Sequence, residues 1–193
     1  MAVTTAVTTL VSIDAIRAWM GALDADDTKD ALLAQCADAA SAELEQLTSR
    51  IFVTRTVTDT LDGQGRPDLW LSRRPIVSVT SVTMDGALVD PGRYVVDATL
   101  GRLRMPAGSW TVGIANLVAV YSAGYGAQGA ATLPVDVVRA CLDLAKAIYD
   151  EKATGAITLA SVTMGAAGSV TLKTGKYPPS VERVARTWRE TRA

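Results

Sequence analysis

Hydrophobic and polar positions along the 193-residue chain change their period twice, from helical to strand-like and back. Over residues 12–50, apolar residues recur every three or four positions, which is typical of amphipathic helices. Over residues 51–126, short runs rich in Val and Thr alternate with turn residues, which indicates antiparallel strands. The helical period returns over residues 133–152, after Pro134, because proline is favoured in the first turn of a helix. The pattern predicts an α+β protein: two long packed helices, short N- and C-terminal helices, and an inserted antiparallel β-sheet or small β-sandwich.

The second strand pattern of the β region contains a change of parity. Val77 and Val79 are predicted to lie on one face of a strand. Val82 is three residues after Val79, so in a regular strand it would lie on the other face. Because the side-chain period of a strand is two, we expect a bulge at Thr80-Ser81. Asp85-Gly86 then supplies the residue types that tolerate positive φ angles, which predicts a tight hairpin turn.

The ends of the chain have weaker patterns. Residues 1–11 show no strong period and are expected to form a mobile or partner-bound arm. Residues 153–178 alternate weakly, which indicates an extended arm or ribbon lying on its own subunit or on a neighbour. Pro178-Pro179 starts a further segment, residues 179–192, which has a helical period. We treat 1–193 as one domain.

Composition narrows the class of protein. With 49% hydrophobic and 20% charged residues, the chain is expected to be a folded, soluble protein rather than a disordered one. No apolar run is long enough to span a bilayer, and the first ten residues lack the pattern of a signal peptide, so synthesis in the cytoplasm is expected. Cys36 and Cys141 fall at apolar helical positions, and we favour buried free thiols over a disulfide.

The chain contains no histidine, which removes the usual proton shuttle at neutral pH and the usual transition-metal ligand. A cluster of aspartates, Asp24, Asp26 and Asp27, precedes the first long helix. It lacks the spacing and terminal Glu of a calcium loop, so we interpret it as favourable charge at a helix N-terminus. No cofactor and no metal are expected.

Charge is distributed unevenly despite a net charge of −1. Residues 1–50 hold eight acidic and three basic residues, and residues 173–193 hold six basic and two acidic residues. Opposite charge at the two ends would favour head-to-tail contacts between subunits, although two ordinary solvated faces explain the same pattern.

The C-terminal segment has an apolar side and a basic side. Val181, Val184 and Trp188 share the first, and arginines recur every three residues on the second. Its own subunit is one surface on which this helix could pack. The combination of a Trp with flanking arginines is also typical of interface anchors. The arginines are Arg183, Arg186, Arg189 and Arg192.

Several short motifs occur in an order that resembles the head-tail connector (adaptor, or head-completion) proteins of tailed phages and gene transfer agents. The resemblance covers residues 12–192 and depends on the order of the motifs, since none is specific alone. The motifs are the helix Asp26 to Arg50, Asp62-Gly63, Leu69-Trp70-Leu71, Arg74-Pro75-Ile76-Val77-Ser78-Val79, Val82 with Asp85-Gly86, Tyr94 with Gly101-Arg102-Leu103, Tyr121-Ser122-Ala123-Gly124-Tyr125, Leu133-Pro134-Val135-Asp136 and Pro179 to Arg189.

The resemblance implies a structural virion protein with no enzymatic activity, located in the neck between head and tail. Such a protein forms a homo-oligomeric ring, of twelve copies matching the portal, through which genomic DNA passes. Its partners are the portal protein on one side and a stopper or tail-completion protein on the other, and no membrane is involved.

Two groups of residues are the candidate contacts on this interpretation. The candidate portal-binding residues are Val181, Arg183, Val184, Arg186, Trp188, Arg189 and Arg192. The candidate subunit or tail contacts are Asp85, Gly86, Ile157, Leu159, Val162 and Met164.

Two other classes of function are also considered. A carboxylate-based hydrolase would bring together Asp59, Asp62 and Asp68, although ordinary turn aspartates explain these residues better. A nucleic-acid-binding β-sheet would bind through a group of arginines with nearby aromatic residues, and it predicts strong, salt-dependent binding of free DNA. These arginines are Arg73, Arg74, Arg102 and Arg104.

Overall fold

A computed structural model describes residues 2–4, 9–21, 29–154 and 177–189. The chain divides into two compact units. One, here called the β unit, comprises Met1–Thr8 and Arg50–Leu133, and the other, the helical unit, comprises Thr9–Ser49 and Pro134–Ala193. The α+β class predicted from the sequence is confirmed.

Four α-helices and eight strands make up the described structure. The helices are α1 (Ile13–Met20), α2 (Asp30–Thr48), α3 (Val135–Thr154) and α4 (Pro179–Trp188). The strands are β1 (Ala2–Thr4), β2 (Arg55–Gly63), β3 (Asp68–Trp70), β4 (Ile76–Met84), β5 (Ala87–Leu88), β6 (Val95–Asp97), β7 (Arg102–Arg104) and β8 (Gly113–Ala123).

The β unit consists of two antiparallel sheets. The larger has five strands in the order β1-β2-β8-β4-β5, and the smaller has three in the order β3-β7-β6. Strand β8 is central, between β2 and β4, which suits its apolar sequence. Buried residues of both sheets belong to one hydrophobic core, so the unit is a small β-sandwich. Its largest fully buried side chains include Trp110, Tyr121, Leu103, Met105 and Leu117.

Strand β4 carries the predicted bulge and a second one. The register against β8 shifts between Val79 and Ser81, which confirms the bulge, and also between Ile76 and Ser78. Because each bulge adds one residue, the inward positions are Ile76, Val79 and Val82, three residues apart. The prediction that Val77 shares the face of Val79 is therefore wrong, and Val77 is exposed.

The helical unit is built on the contact between α2 and α3. Ser12 caps α1 by accepting a hydrogen bond from the amide of Ala15 at 3.2 Å, and Gly21 ends the helix at φ 71°. Along the chain, residues 50–133 lie between α2 and α3. At the helix contact the Ser41 Oγ lies 3.6 Å from the Cys141 Sγ, and small residues of this kind allow helices to approach closely.

The N-terminal residues differ from the expectation of a free or partner-bound arm. Ala2–Thr4 pairs with β2 as an edge strand of the larger sheet. Leu10 and Val11 are buried in the helical unit, where the Leu10 amide donates to the Ser41 Oγ at 2.9 Å. The β-branched residues near the start of the chain suit a strand, but only the pairing partner shows that they form one.

Both thiols of the chain are free and buried, as expected from their helical positions. Burial raises the pKa of the Cys36 thiol, and it raises the pKa of Cys141 to about 12. In the described part of the chain, no helix is long and apolar enough to cross a membrane.

Candidate assembly interface

The hairpin between β4 and β5 turns through two residues with positive φ angles. Asp85 has φ 54° and Gly86 has φ 80°, and Met84 pairs with Ala87 across the turn. These angles are those of the two-residue turn predicted from the Asp-Gly pair. The hairpin tip is therefore a tight two-residue turn, with both residues exposed.

A single asparagine at the start of β8 supports this hairpin. The Asn116 side-chain carbonyl accepts from the amide of Gly63 at 2.9 Å, and its amide group donates to Asp85 Oδ1 at 3.1 Å. Thr111 Oγ1 donates to Asp85 Oδ2 at 2.7 Å and lies 3.1 Å from the Asn116 side-chain amide. These bonds, from Thr111 first and from Asn116 second, hold the pKa of the Asp85 carboxyl below its usual value. Three chain segments are thus joined at one end of the sandwich.

Two apolar side chains project from the same end. Val112 is 78% exposed and Ile114 is 90% exposed, on either side of Gly113. The amide of Ala115 donates to Asp62 Oδ1 at 2.6 Å, which fixes the backbone beside Ile114. Exposed apolar residues on a hydrogen-bonded support are typical of protein contact sites. We call this surface the hairpin end, defined by Asp85, Gly86, Val112, Ile114 and Asn116.

Sequence reasoning identified only the first two residues of the hairpin end. Asn116 lies far from Gly63 and Asp85 in the chain, and no local pattern marks it as their partner. The sequence did contain one signal for this surface. Val112 and Ile114 are β-branched and lie on either side of Gly113, at the beginning of a strand.

The C-terminal helix α4 packs within the helical unit against α2 and α3. Val181 and Val184 are buried, and the Trp188 indole donates to Asp136 Oδ2 at 2.7 Å. Ser180 Oγ donates to Asp143 Oδ2 at 2.6 Å, so polar contacts hold both ends of the helix. Its own subunit thus provides the surface for the apolar side.

The basic side of α4 faces outward. Arg183, Arg186 and Arg189 are exposed, and Arg192 lies outside the described residues. The candidate contacts Ile157, Leu159, Val162 and Met164 also lie outside them, as does most of the predicted arm at 153–178. Residues 153 and 154 belong to α3.

The family model for head completion protein matches residues 9–191. The chain belongs to this family. A head completion protein has a structural role as a head-tail connector, so the connector role implied by the sequence is confirmed. The family match covers both the helical unit and the β unit.

Solved structures with the same fold come from gene transfer agent particles. A chain in the neck of an empty particle, computed with C6 symmetry, is 26% identical and has a TM-score of 0.71, with 100% of this chain and 97% of that chain covered. Two further chains have the same coverage and share the fold. One, in the virion of a native particle, is 21% identical with a TM-score of 0.66. The other, in a native neck computed with C12 symmetry, is 22% identical with a TM-score of 0.63. No curated protein matches the chain significantly.

The aspartates considered for hydrolysis have separate structural partners in this head completion protein. Asp59 is buried and accepts from the Ser72 hydroxyl at 2.6 Å and the Tyr121 hydroxyl at 2.7 Å. Asp62 supports Ala115, and Asp68 lies beside two arginines. Their contacts favour structural roles over a shared catalytic site. Among the residues that the structure describes, no group of three or more acidic, Cys or His side chains could hold a metal ion.

Two of the four arginines considered for nucleic-acid binding, Arg102 and Arg104, lie beside acidic residues. Arg102 lies 3.3 Å from Asp97 and 3.6 Å from Asp68, with its guanidinium 5.6 Å from the centre of the Trp70 ring. Arg104 is half-exposed and lies 3.7 Å from Asp68. Acidic partners weaken attraction to phosphates, so Arg102 and Arg104 are poorly suited to binding nucleic acid.

Proposed function

We propose that the chain forms a ring beneath the portal, in the neck of a virion, through which genomic DNA passes and onto which a stopper or tail-completion protein attaches. The observation that carries the proposal is the likeness, over the full chain, to a chain in the neck of a gene transfer agent particle. Family membership supports the same role, because a head completion protein is a structural connector between head and tail.

We propose twelve copies in the ring, matching the portal. Support comes from the related necks, which were computed with C6 and with C12 symmetry, and both symmetries are compatible with twelve subunits. The free protein is proposed to be largely monomeric and to close into a ring only on the portal. Sedimentation of the purified chain with and without portal tests this, and a stable ring without portal would contradict it.

The outward arginines of α4 are the proposed portal contact. Since Val181 and Val184 are occupied within the subunit, the attraction comes from charge on the exposed side of the helix, from Arg183, Arg186 and Arg189. The matching portal surface is then acidic, and binding is salt-dependent.

Charge reversal tests this contact without removing the buried residues of α4. Arg186→Glu with Arg189→Glu is expected to weaken portal binding tenfold or more in 0.1 M salt, as on the order of 1 kcal/mol is lost for each contact. Lys152→Glu, at an exposed position on α3, is the control and should bind normally. Equal binding by the double variant and the wild type would place the portal contact elsewhere.

The hairpin end is the proposed contact with a neighbouring subunit or the tail side. Asp85 in its turn is held by hydrogen bonds from Thr111 and Asn116, and Val112 and Ile114 are exposed and available for contact with a partner. Particles lacking the chain should contain filled heads without tails, as seen by electron microscopy. Tailed particles in its absence would refute the connector proposal.

A further inference from the structure

One carboxylate in the helical unit is shared by three helices. Asp143, on α3, accepts a hydrogen bond on Oδ1 from the Trp19 indole of α1 at 3.1 Å. Its second oxygen, Oδ2, accepts from the Ser180 hydroxyl of α4 at 2.6 Å. Helices α1 and α4 are the first and last helices of the described structure. A single part-buried side chain therefore joins two helices that are far apart in the chain.

Helix α1 depends on contacts of this kind because it buries little of its own surface. It has eight residues, of which one, Ile16, is buried. A helix this short is marginal by itself in water. Arg17 pairs with Asp30 of α2, and the Arg139 guanidinium of α3 lies 5.9 Å from the centre of the Trp19 ring. We therefore expect α1 to open locally more easily than the longer helices α2 and α3.

Helix α4 is attached to α3 by a hydrogen bond near each of its ends. Ser180 lies in its first turn, where the helix dipole also favours a nearby negative charge such as Asp143. Trp188, the last residue of α4, donates to Asp136 Oδ2 at 2.7 Å. Asp136 Oδ1 accepts from the amide of Val137 at 3.0 Å, within α3 itself. Among the described residues, the hydrogen bonds of Asp143 thus reach both α4 and α1, whereas those of Asp136 reach only α4.

Sharing one carboxylate makes the two contacts of Asp143 depend on each other. A side chain loses rotamer freedom when a donor holds it, and this entropic cost is nearly the same for one donor as for two. If Ser180 leaves, the bond from Trp19 alone must offset the whole cost, and Asp143 can turn toward water instead. The attachment of either helix is therefore weaker once the other helix has moved away.

We propose that Asp143 couples the attachment of α1 to that of α4, so that the two helices open and close on α3 together. A partner that holds α4 in place would then stabilise α1 as well, without touching it. Because coupling between two sites is reciprocal, a partner on α1 would stabilise α4 by the same factor. The coupling is a property of the free chain and does not depend on the portal contact proposed above.

Hydrogen exchange of the free protein tests the coupling, with peptides from α1 and α4 followed by mass spectrometry. Ser180→Ala, on α4, should speed exchange of the α1 amides about fivefold, the lower end of typical coupling between sites. Trp19→Phe, on α1, should speed exchange in the first turns of α4 by a similar factor. Both substitutions remove one donor to Asp143 and keep most of the side-chain volume.

Two further variants separate this coupling from a general loosening of α4. Trp188→Phe is the matched control, because it also removes a hydrogen bond between α4 and an aspartate of α3. It should speed exchange of α4 and leave α1 unchanged. Asp143→Ala should keep native circular dichroism, since alanine suits a helix interior, and should speed exchange of α1. Adding Ser180→Ala to this variant should have no further effect on α1.

Three results would each overturn the proposal. The first is equal exchange of α1 in Ser180→Ala and in the wild type. The second is an equal acceleration of α1 by Trp188→Phe, since any loosening of α4 would then have the same effect. The third is a full effect of Ser180→Ala in the Asp143→Ala background, which would mean that the two helices are coupled by a route other than this carboxylate.

Discussion

Replacing Tyr121 by phenylalanine removes one hydroxyl from the core of the β unit. Tyr121 lies on the central strand β8 and is fully buried. Its hydroxyl donates to Asp59 Oδ2 at 2.7 Å and accepts from the amide of Arg73 at 3.0 Å. The same group thus joins β8 to β2 and to the segment after β3. Tyr121→Phe keeps the ring and its packing and deletes these two bonds, together with the longer contact between this hydroxyl and the Ser72 Oγ at 3.5 Å.

The expected loss of stability follows from the two bonds. A hydrogen bond to a charged group contributes about 1.5–3 kcal/mol, and a buried amide that loses its acceptor costs about 1 kcal/mol or more. Asp59 keeps its bonds from the amide and hydroxyl of Ser72, so its carboxylate is not left without donors. We therefore expect Tyr121→Phe to destabilise the protein by about 2–4 kcal/mol, which corresponds to a fall in Tm of roughly 5–15 °C for a chain of this size.

Urea unfolding followed by circular dichroism measures this change. The midpoint should fall with an unchanged m-value, since the surface exposed on unfolding is the same. Tyr125→Phe is the matched control, because its hydroxyl accepts from the Arg50 guanidinium at 3.2 Å in a part-buried position, and it should cost about 0.5–1 kcal/mol. A Tyr121→Phe variant as stable as the wild type would refute the view that this hydroxyl supports the sandwich.

The same hydroxyl predicts a dependence on alkaline pH. Burial is the largest effect and raises the pKa of Tyr121 well above its usual range. The hydrogen bond with Ser72 opposes it, the hydrogen bond to Asp59 and its negative charge add to it, and the Arg73 amide opposes it most weakly. Because the folded state holds this proton more tightly than the unfolded state, the stabilisation is complete below about pH 10 and falls as pH rises above it. The difference in stability between wild type and Tyr121→Phe should therefore shrink above about pH 10. A constant difference across that range would contradict this reasoning.

Three further predictions concern single positions. Gly86→Val should lower the free energy of unfolding by about 2 kcal/mol and impair assembly, because the φ of 80° at this position is strained for a β-branched residue. Gly86→Asn should lower it little. Equal unfolding midpoints for the two variants would contradict this prediction. Gly63→Ala should destabilise by about 2 kcal/mol or more, since an added Cβ would lie 1.6 Å from the Thr111 carbonyl oxygen, and an unchanged Tm would show that the backbone yields easily. The Cys141 thiol should react with a maleimide at least a hundredfold more slowly than a free thiol at pH 8, because burial suppresses the thiolate, and rapid labelling of the native protein by mass spectrometry would disprove this.

Local chemistry made several elements predictable from the sequence. Ser12 and Gly21 define the ends of α1, and Asp85-Gly86 defines the hairpin, because each needs only its own backbone conformation and near neighbours. The change of parity before Val82 revealed a bulge for the same reason, since it follows from the period of one strand. The order of the motifs was sufficient to indicate the family.

Contacts between distant segments required the tertiary structure. The second bulge, at Val77, depends on the register of β4 against β8, and it moved Val77 from the predicted inner face to solvent. The pairing of Ala2–Thr4 with β2 likewise has no signal within those three residues. The spacing of apolar residues predicts which side chains of a strand share a face, but it does not predict which other strand is the neighbour.

The candidate contact surfaces also combine features that local sequence predicts with features that depend on tertiary packing. The apolar and basic sides of α4 could be predicted from its residues, because helical spacing is a property of the local chain. The burial of Val181 and Val184 within the subunit, and the support of Asp85 by Asn116 across 31 positions of sequence, became visible only in the folded protein. Burial and hydrogen bonding between remote residues depend on how the elements pack, and that packing is a property of the whole fold.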